Sequence, residues 1–234
     1  PAFWTHVGGC DTWEEKLAKL KDPEIRQAIL DDPAVDAGEF ANFIAGSFDK
    51  MFLFDEFLDY EPDETQSVKY RAEQTGRSAR EVAYDALMGA DGSGEGFMYF
   101  PLFNYADHSL EPLYHMHNHD RIRMGLSDGG AHCGAICDAG MPTFMLTHWS
   151  RDRKRGETIP LERIVYRQTR QTAEIYGLLD RGLLKPGYRA DINVIDYENL
   201  TLGAPEMVFD LPAGGRRLVQ HASGYDYTIC KGEV

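Results

Sequence analysis

The sequence has no long apolar run, few cysteines and no excess of positive charge, and each absence excludes a class of protein. No apolar stretch approaches the roughly 20 residues that span a bilayer, and no basic-then-apolar signal segment opens the chain. The net charge of −14 argues against nucleic acid and anionic membrane surfaces as partners. We therefore expect neither a nucleic-acid partner nor a membrane partner.

The four cysteines are too few and too widely spaced for a disulfide framework. They are Cys10, Cys133, Cys137 and Cys230. Cys133 and Cys137 stand four residues apart, but without a second pair the sequence favours two buried thiols over a structural zinc site. This cysteine usage predicts a reducing, cytoplasmic location.

The apolar content of 43% over 234 residues predicts a globular protein of one or two domains. Helix signals dominate its first third. Thr12-x-x-Glu15 and Ser78-x-x-Glu81 are capping boxes, and Asp22-Pro23 is an N-cap followed by proline at the first helical position. A further helix is predicted over Gln66–Thr75, whereas the aromatic-rich Phe48–Phe57 predicts a bent strand.

Strands and helices alternate after a break at residues 89–96 that is rich in glycine and aspartate. This order predicts two consecutive βα units of a parallel sheet. From Ala190 onward, alternating apolar residues and a final apolar run at Tyr225–Cys230 predict a small β module. The predicted elements of the βα region are a strand at Phe97–Phe103 that ends at Asn104-Tyr105, a helix from Ser109 to His117, a strand at Ile122–Leu126, and helices at Met141–Ser150 and Pro160–Tyr176.

The most informative motif is Ser127-Asp128-Gly129-Gly130-Ala131-His132, which directly follows the predicted strand Ile122–Leu126. The pattern places a carboxylate at the C-terminal tip of a buried strand, where parallel barrels carry their catalytic groups. The glycines let the backbone approach a ligand or a metal closely. Asp128 is therefore a candidate general base or metal ligand, although Asp-Gly is also common in surface turns.

Further motifs follow in a fixed order: Thr147-His148-Trp149, then Arg167-Gln168-Thr169-Arg170, and finally the Pro-Gly-x-x-Ala-Asp-x-x-Val-Ile-Asp element of residues 186–196. Together with the Asp128 motif, this set resembles the C-terminal part of the amidohydrolase superfamily. The branch that it resembles most is the N-acyl-D-amino-acid deacylases, or D-aminoacylases. The resemblance covers most of the chain and is strongest from about Gly96 to Val219.

The resemblance implies an α/β fold: the last βα units of a TIM-like (β/α)8 barrel, a helical insertion and part of a small β-sandwich. Residues 1–90 would form a mainly helical insertion or lid, residues 91–185 the C-terminal βα units, and residues 186–234 the partial sandwich. Because the chain starts at Pro1 and ends in a turn without a return strand, we expect it to be a fragment. Exposed strand edges then predict self-association or pairing with the missing N-terminal part.

The resemblance also implies metal-dependent hydrolysis of a small N-acyl amino acid, with one or two zinc ions activating water. Asp128 would act as the general base and could touch the metal, while most other metal ligands are expected upstream of this chain. His132, Asn104 and Tyr105 are the predicted substrate-binding residues. For His132 a turn histidine bonded to backbone is an equal alternative, and for Tyr105 a tyrosine capping the core is nearly as good.

Two other polar clusters are interpreted as structural. His115-Met116-His117-Asn118-His119 imitates a His-x-His metal motif, but on a helix alternate rings diverge by roughly 200°. Surface histidines near a helix end, stabilised by its dipole, are favoured. Arg151, Arg153 and Arg155 could bind a substrate carboxylate, but a solvated charged loop is the better interpretation, and His148-Trp149 is expected to be packing.

Two alternative functions stay open. The first is a non-catalytic module or incomplete fragment of an amidohydrolase, which the lack of a convincing His-x-His strand favours. The second is a cyclic amidohydrolase of the hydantoinase or dihydroorotase type, which shares the C-terminal element but matches Thr147-His148-Trp149 and the Asp128 motif less well.

Overall fold

The computed structural model describes residues 1–33, 36, 38–54, 59–125, 127, 129 and 134–234. Contacts between Cα atoms divide the chain into two compact units, Pro1–Leu110 and Glu111–Val234. The predicted site residues Asp128 and His132, the strand end Leu126, and Cys133 lie outside the described residues.

The first unit is mainly helical, as the capping signals predict. Thr12 Oγ1 accepts the Glu15 amide at 3.2 Å, and Asp22 Oδ1 accepts the Glu24 amide at 2.8 Å, so each side chain satisfies a donor that its helix leaves unpaired. Its helices are α1 (Ala2–Val7), α2 (Trp13–Lys21), α3 (Pro23–Asp31), α4 (Glu39–Gly46), α5 (Val68–Thr75) and α6 (Ala79–Met88), with short 3₁₀ turns at Phe48–Lys50, Glu64–Gln66 and Ala106–His108.

Helices α5 and α6 carry the apolar core of this unit. Val68 and Ala72 of α5 and Val82 and Ala83 of α6 are buried together with Met51. Val68 and Ala72 lie four residues apart on one face of α5, and on α6 the partly buried Ala79 lies three and four residues before Val82 and Ala83. The helix predicted over Gln66–Thr75 is therefore confirmed, although it begins at Val68 behind a Ser67 cap and ends at Gly76 in the left-handed region.

The strands of the first unit differ from the expectation. Strand β1 (Phe52–Leu53) pairs antiparallel with β2 (Met98–Tyr99), with Phe52 opposite Tyr99. The predictions of a bent strand over Phe48–Phe57 and of a strand over Phe97–Phe103 are thus wrong in extent, and β2 begins no parallel unit. Because no described strand lies parallel to these runs, their remaining backbone groups have no ladder to join within the described residues.

The glycine-rich segment at residues 89–96 lies inside the first unit because it packs on the end of α6. The Gly94 amide donates to Met88 O at 2.8 Å and the Gly96 amide to Leu87 O at 3.1 Å, which satisfies carbonyl groups of the last helical turn. A Cβ on Gly96 would stand 1.9 Å from Ala86 O. The glycine is therefore required by close backbone approach and not by a flexible linker.

In the second unit, the helices predicted over Ser109–His117, Met141–Ser150 and Pro160–Tyr176 are confirmed. Two of them pass through π-helical turns, which the sequence did not indicate. The elements are α7 (Glu111–Asn118); α8 (Met141–Phe144), which continues as the π-helical segment Met145–Asp152; and α9 (Leu161–Tyr166), which continues through the π-helical turn Arg167–Gln171 into α10 (Thr172–Ile175).

The β module predicted after Ala190 is confirmed as two antiparallel pairs. Ile192–Ile195 pairs with Tyr225–Ile229, and Thr201–Leu211 pairs with Gly215–Ser223 across a tight Pro212–Gly214 turn. The module is tied to the α8 helix by side-chain hydrogen bonds: Thr143 Oγ1 lies 2.8 Å from the Tyr225 hydroxyl, and Ser150 Oγ lies 2.8 Å from the Tyr197 hydroxyl. The strands are β3 (Ile192–Ile195), β4 (Thr201–Leu211), β5 (Gly215–Ser223) and β6 (Tyr225–Ile229).

The second predicted barrel strand is not formed in the part of the chain that the structure describes. Residues 122–125 are irregular, and Leu126 lies outside the described residues. The described residues form a mixed α/β structure with three two-stranded antiparallel sheets and no barrel. A strand in the interior of a parallel sheet pairs with a neighbouring strand along each of its two edges. None of the described strands pairs with this segment.

No described helix is long and apolar enough to cross a membrane.

We predict that Ser78→Ala lowers the free energy of unfolding by about 1 kcal/mol. The Ser78 hydroxyl accepts the Glu81 amide and the Glu81 carboxylate accepts the Ser78 amide, so the variant loses one half of a complete capping box. Urea denaturation measures the change. Ser78→Asp, which keeps a capping acceptor, is the control, and equal loss in both variants would contradict the role of the cap.

Candidate functional site

The segment that contains the predicted catalytic aspartate is described only at Ser127 and Gly129. A Cβ on Gly129 would stand 3.0 Å from the Ala139 Cβ and 3.1 Å from its Cα. The glycine therefore lets this segment approach the chain just before α8 closely. The close approach to a ligand or a metal that the sequence predicted for the glycines beside Asp128 stays a prediction. Asp128 and His132 stay predictions as site residues, since both lie outside the described residues.

The predicted substrate-binding pair Asn104-Tyr105 belongs to the first unit. Asn104 is exposed and has a φ of 61°, a left-handed conformation that asparagine tolerates. Tyr105 is 2% exposed, and its hydroxyl donates to Pro62 O. Its ring meets Phe52 edge-to-face, with ring centroids 6.2 Å apart. This geometry matches the alternative of a tyrosine that caps a core, and the substrate-binding role stays a prediction.

The histidine-rich end of α7 does not form a His-x-His pair, as the helical geometry predicts. The His115 side chain is 73% exposed and lies 3.5 Å from the Glu111 carboxylate one turn earlier. The His117 ring instead packs on Trp149, with ring centroids 5.0 Å apart. The two rings therefore leave the helix in different directions and cannot share a metal ion.

His117 is not the surface histidine that we expected. Burial against Trp149, with the Arg167 guanidinium nearby, lowers the pKa of His117 to about 4. The expectation that the whole cluster is stabilised as cations by the helix dipole is therefore wrong at this position. His117 is neutral at physiological pH and offers one ring nitrogen as an acceptor.

Arg153 also departs from the expectation of a solvated charged loop, because its side chain is 0% exposed. The guanidinium donates to Glu157 O at 2.9 Å and to the Glu111 carboxylate at 3.1 Å. It lies 4.9 Å from the centroid of the Trp149 ring, a cation–π contact in a site shielded from water. Arg153 therefore has a structural role in this unit, and its guanidinium is engaged by protein groups rather than open to a substrate carboxylate.

The Arg153 site is closed by Gly156. A Cβ at Gly156 would lie 2.5 Å from Arg153 Cζ, so a larger residue would displace the guanidinium. Tyr114 adds a second ring, 5.6 Å from Arg153, and its hydroxyl donates to the Glu157 carboxylate at 2.6 Å, which raises the pKa of the phenol. The sequence signal for this cluster is an arginine three residues before a glycine and four after a tryptophan, which is not specific enough to identify it.

A second buried arginine, Arg167, has a different environment. The residue is 1% exposed, and its Nη2 donates to Ile122 O at 3.1 Å. Its Nε and Nη1 have no hydrogen-bond acceptor among the described residues. This arginine opens the Arg-Gln-Thr-Arg motif, and it anchors the segment that leads toward Asp128.

The charges around Arg167 are mostly of its own sign. Burial lowers the pKa of the Arg167 guanidinium, and the neighbouring Arg163 and Arg123 lower it further, while Asp120 acts in the opposite direction. Asp120 is 94% exposed and is paired with Arg163 at 3.4 Å. Arg167 stays charged because a guanidinium does not lose its proton in proteins. The described residues thus surround it with positive potential.

The two helical motifs that contribute to the family resemblance both lie on π-helical turns. Thr147-His148-Trp149 falls within Met145–Asp152, and Arg167-Gln168-Thr169-Arg170 falls within Arg167–Gln171. The Thr172 hydroxyl donates to Arg167 O at 2.8 Å and satisfies a carbonyl on the wider turn. π-helical turns are rare and are found frequently at functional sites. They turn Trp149 and Arg167 into the interior of the unit.

The described residues do not supply a metal site. No group of three or more His, Cys, Asp or Glu side chains among them is placed to hold a metal ion. The described cysteines, Cys10, Cys137 and Cys230, are free thiols. The residues present therefore do not fit the zinc ion that the resemblance implies, and no chemical step through a metal can be built on them.

We predict that Arg153→Met lowers the free energy of unfolding by about 2–4 kcal/mol, because it removes a buried cation and leaves Glu111 and the Glu157 carbonyl without their donor. Thermal or urea denaturation gives the value. Lys154→Met, one residue further on and exposed, is the matched control and should change stability by no more than about 0.5 kcal/mol. Similar effects of the two variants would contradict the buried role.

The wild-type protein should lose stability as the pH falls from about 6.5 to about 4. We predict that His117→Phe reduces this loss. In this window the unfolded chain takes up a proton that the folded chain refuses, so the free energy of unfolding falls as the pH is lowered. The effect should reach about 2 kcal/mol, allowing for solvent screening of a half-buried ring. Denaturation at a series of pH values measures it. His115→Phe is the control, and an unchanged pH profile in His117→Phe would refute the assignment.

Comparison with known protein families gives one match. Residues 2–234 match the model of a family described as the amidohydrolase family. No curated protein matches the chain, and no solved structure does.

Proposed function

This chain belongs to the amidohydrolase family, and on that premise we propose that it takes part in hydrolysing the amide bond of N-acyl-D-amino acids. The observation that carries the proposal is the family match along residues 2–234. The family makes a hydrolase the expected class. The D-aminoacylase branch, and with it the substrate, rests on the resemblance of the Asp128 and Thr147-His148-Trp149 motifs.

In the proposed reaction, Asp128 is the general base. It accepts a proton from the attacking water and delivers that proton to the leaving amine, which yields a carboxylate and a free D-amino acid. His132 is proposed to contact the substrate or to orient Asp128. The Ser127-Asp128-Gly129-Gly130-Ala131-His132 motif supports this assignment.

Metal dependence is a separate part of the proposal. Members of the amidohydrolase family often depend on a metal, and we propose one or two zinc ions for this protein. Since the described residues provide no ligand set, the ligands are proposed to lie outside them. Elemental analysis of the protein purified without chelator tests this point independently of any assay of activity.

The experiment that tests the function is an assay of the full polypeptide as its natural source produces it. N-acetyl-D- and N-acetyl-L-amino acids are offered separately, and release of the free amino acid is followed. We predict hydrolysis of the D series, and a decrease in kcat of about 10²–10⁴-fold in Asp128→Asn, because the amide cannot accept the proton.

Asp138→Asn, ten residues further on, is the control for loss of a carboxylate in the same part of the chain. Near-normal kcat in Asp128→Asn would remove Asp128 from the mechanism. Turnover of hydantoins or dihydroorotate with no turnover of N-acyl amino acids would instead favour the cyclic amidohydrolase. Lack of all three activities in a zinc-loaded, folded protein would favour the non-catalytic module.

A further inference from the structure

The strongest unexplained feature of the second unit is a buried donor and a buried acceptor one helical turn apart. Arg167 is 1% exposed, and its Nε and Nη1 have no acceptor among the described residues. Gln171 is 9% exposed, and its Oε1 has no donor among the same residues. Buried polar groups are hydrogen-bonded in the great majority of cases, so two such groups together indicate a missing partner.

Arg167 is a buried cation without an adjacent anion among the described residues. Removing a guanidinium from water costs several kcal/mol unless an opposite charge compensates. Within the described residues, the only carboxylate that raises the pKa of Arg167 is the exposed, paired Asp120, and Arg163 and Arg123 lower it. The planar guanidinium matches the geometry of a carboxylate, with which it forms strong charge-assisted hydrogen bonds.

The missing partner of Gln171 is a hydrogen-bond donor. The orphaned atom is a carbonyl oxygen, which accepts and cannot donate. Arg167 is the first residue and Gln171 the last residue of the same π-helical turn. Because four residues complete almost one full turn there, both side chains start from the same side of the helix. A ligand that satisfies both residues must combine a carboxylate with a nearby N–H group.

We propose that Arg167 and Gln171 form a recognition site for the carboxylate and amide N–H of an N-acyl amino acid. Arg167 binds the free carboxylate, and Gln171 Oε1 accepts the amide N–H. As a statement about the substrate the inference rests on the proposed function, whereas the site itself requires only a ligand of this chemistry. Neutral amides and esters of the same amino acid are then poor ligands, because they lack the charge.

The test is isothermal titration calorimetry of the full polypeptide, in EDTA so that no turnover interferes. N-acetyl-D-leucine, its carboxamide and sodium acetate are the three probes. We expect the acid to bind, the carboxamide to bind about 10–100-fold more weakly, and acetate to bind weakly at the same site. Arg167→Gln should abolish the preference for the acid. Arg170→Gln, whose guanidinium pairs with Glu174 at 2.6 Å, is the matched control on the same turn.

Gln171→Glu keeps the test decisive if Arg167→Gln does not fold. The variant adds a negative charge one helical turn from Arg167, which repels an anionic ligand, so it should no longer bind acetate or N-acetyl-D-leucine. Equal affinity for acid and carboxamide in the wild type would overturn the proposal. Unchanged binding in a folded Arg167→Gln or Gln171→Glu variant would overturn it as well.

The two proposals fail in different ways. Binding that depends on Arg167 without any hydrolysis by the metal-loaded protein would support the recognition site and contradict the proposed function. Hydrolysis of N-acetyl-D-leucine with an unchanged KM in a folded Arg167→Gln variant would support the function and contradict the site.

Discussion

The buried guanidinium of Arg153 is the interaction on which the second unit depends. It joins the Glu111 carboxylate at the start of α7, the Trp149 ring in the π-helical segment after α8, and the Glu157 carbonyl in the loop that leads to α9. One partner that is distant in sequence, Glu111, and two that lie within four residues, Trp149 and Glu157, therefore share one cation. Because this cation is withdrawn from water, each partner must stay in place to compensate for its desolvation.

The consequences extend from Trp149 toward the other buried polar groups. The same ring receives His117, which is kept neutral by burial and by the nearby Arg167. Arg167 in turn holds Ile122 O, four residues before the segment that contains Asp128. Arg153 thus contacts the Trp149 ring directly, and Arg167 lies near the His117 ring that packs on it. Of these two arginines, only Arg167 has N–H groups without an acceptor among the described residues.

Local signals in the sequence predict the helices well and the sheets poorly. A capping serine such as Ser78 acts within four residues, so its effect is visible without tertiary structure. The strand predicted at Ile122–Leu126 needs hydrogen-bonding partners from elsewhere in a chain, and no pattern of apolar residues supplies them. The antiparallel pairing in the C-terminal module is the exception, because β4 and β5 are adjacent in sequence and joined by a short turn.

The candidate site follows the same division. The role of Asp128 is inferred from a short, contiguous glycine-rich motif and stays a prediction. The burial of Arg153, His117 and Arg167 is not, because each contact joins positions more than 25 residues apart or depends on a helix that departs from 3.6 residues per turn. The sequence alone does not indicate whether a charged side chain will be exposed to water or packed on an aromatic ring. The family implies a relation to the TIM barrel, yet the described residues form no barrel.

The π-helical turns have one further consequence, for insertions and deletions. Each accommodates more residues than an α-helical turn of the same length, so it fixes the rotational register between the two halves of its helix. Loss of a single residue from Arg167–Gln171 would let an ordinary α-helical turn replace the wider one, while the parts of the helix before and after it keep nearly the same rotational register. A deletion of one residue within this turn is thus less disruptive than a deletion elsewhere in the helix, which would rotate everything before it by about 100° relative to everything after it.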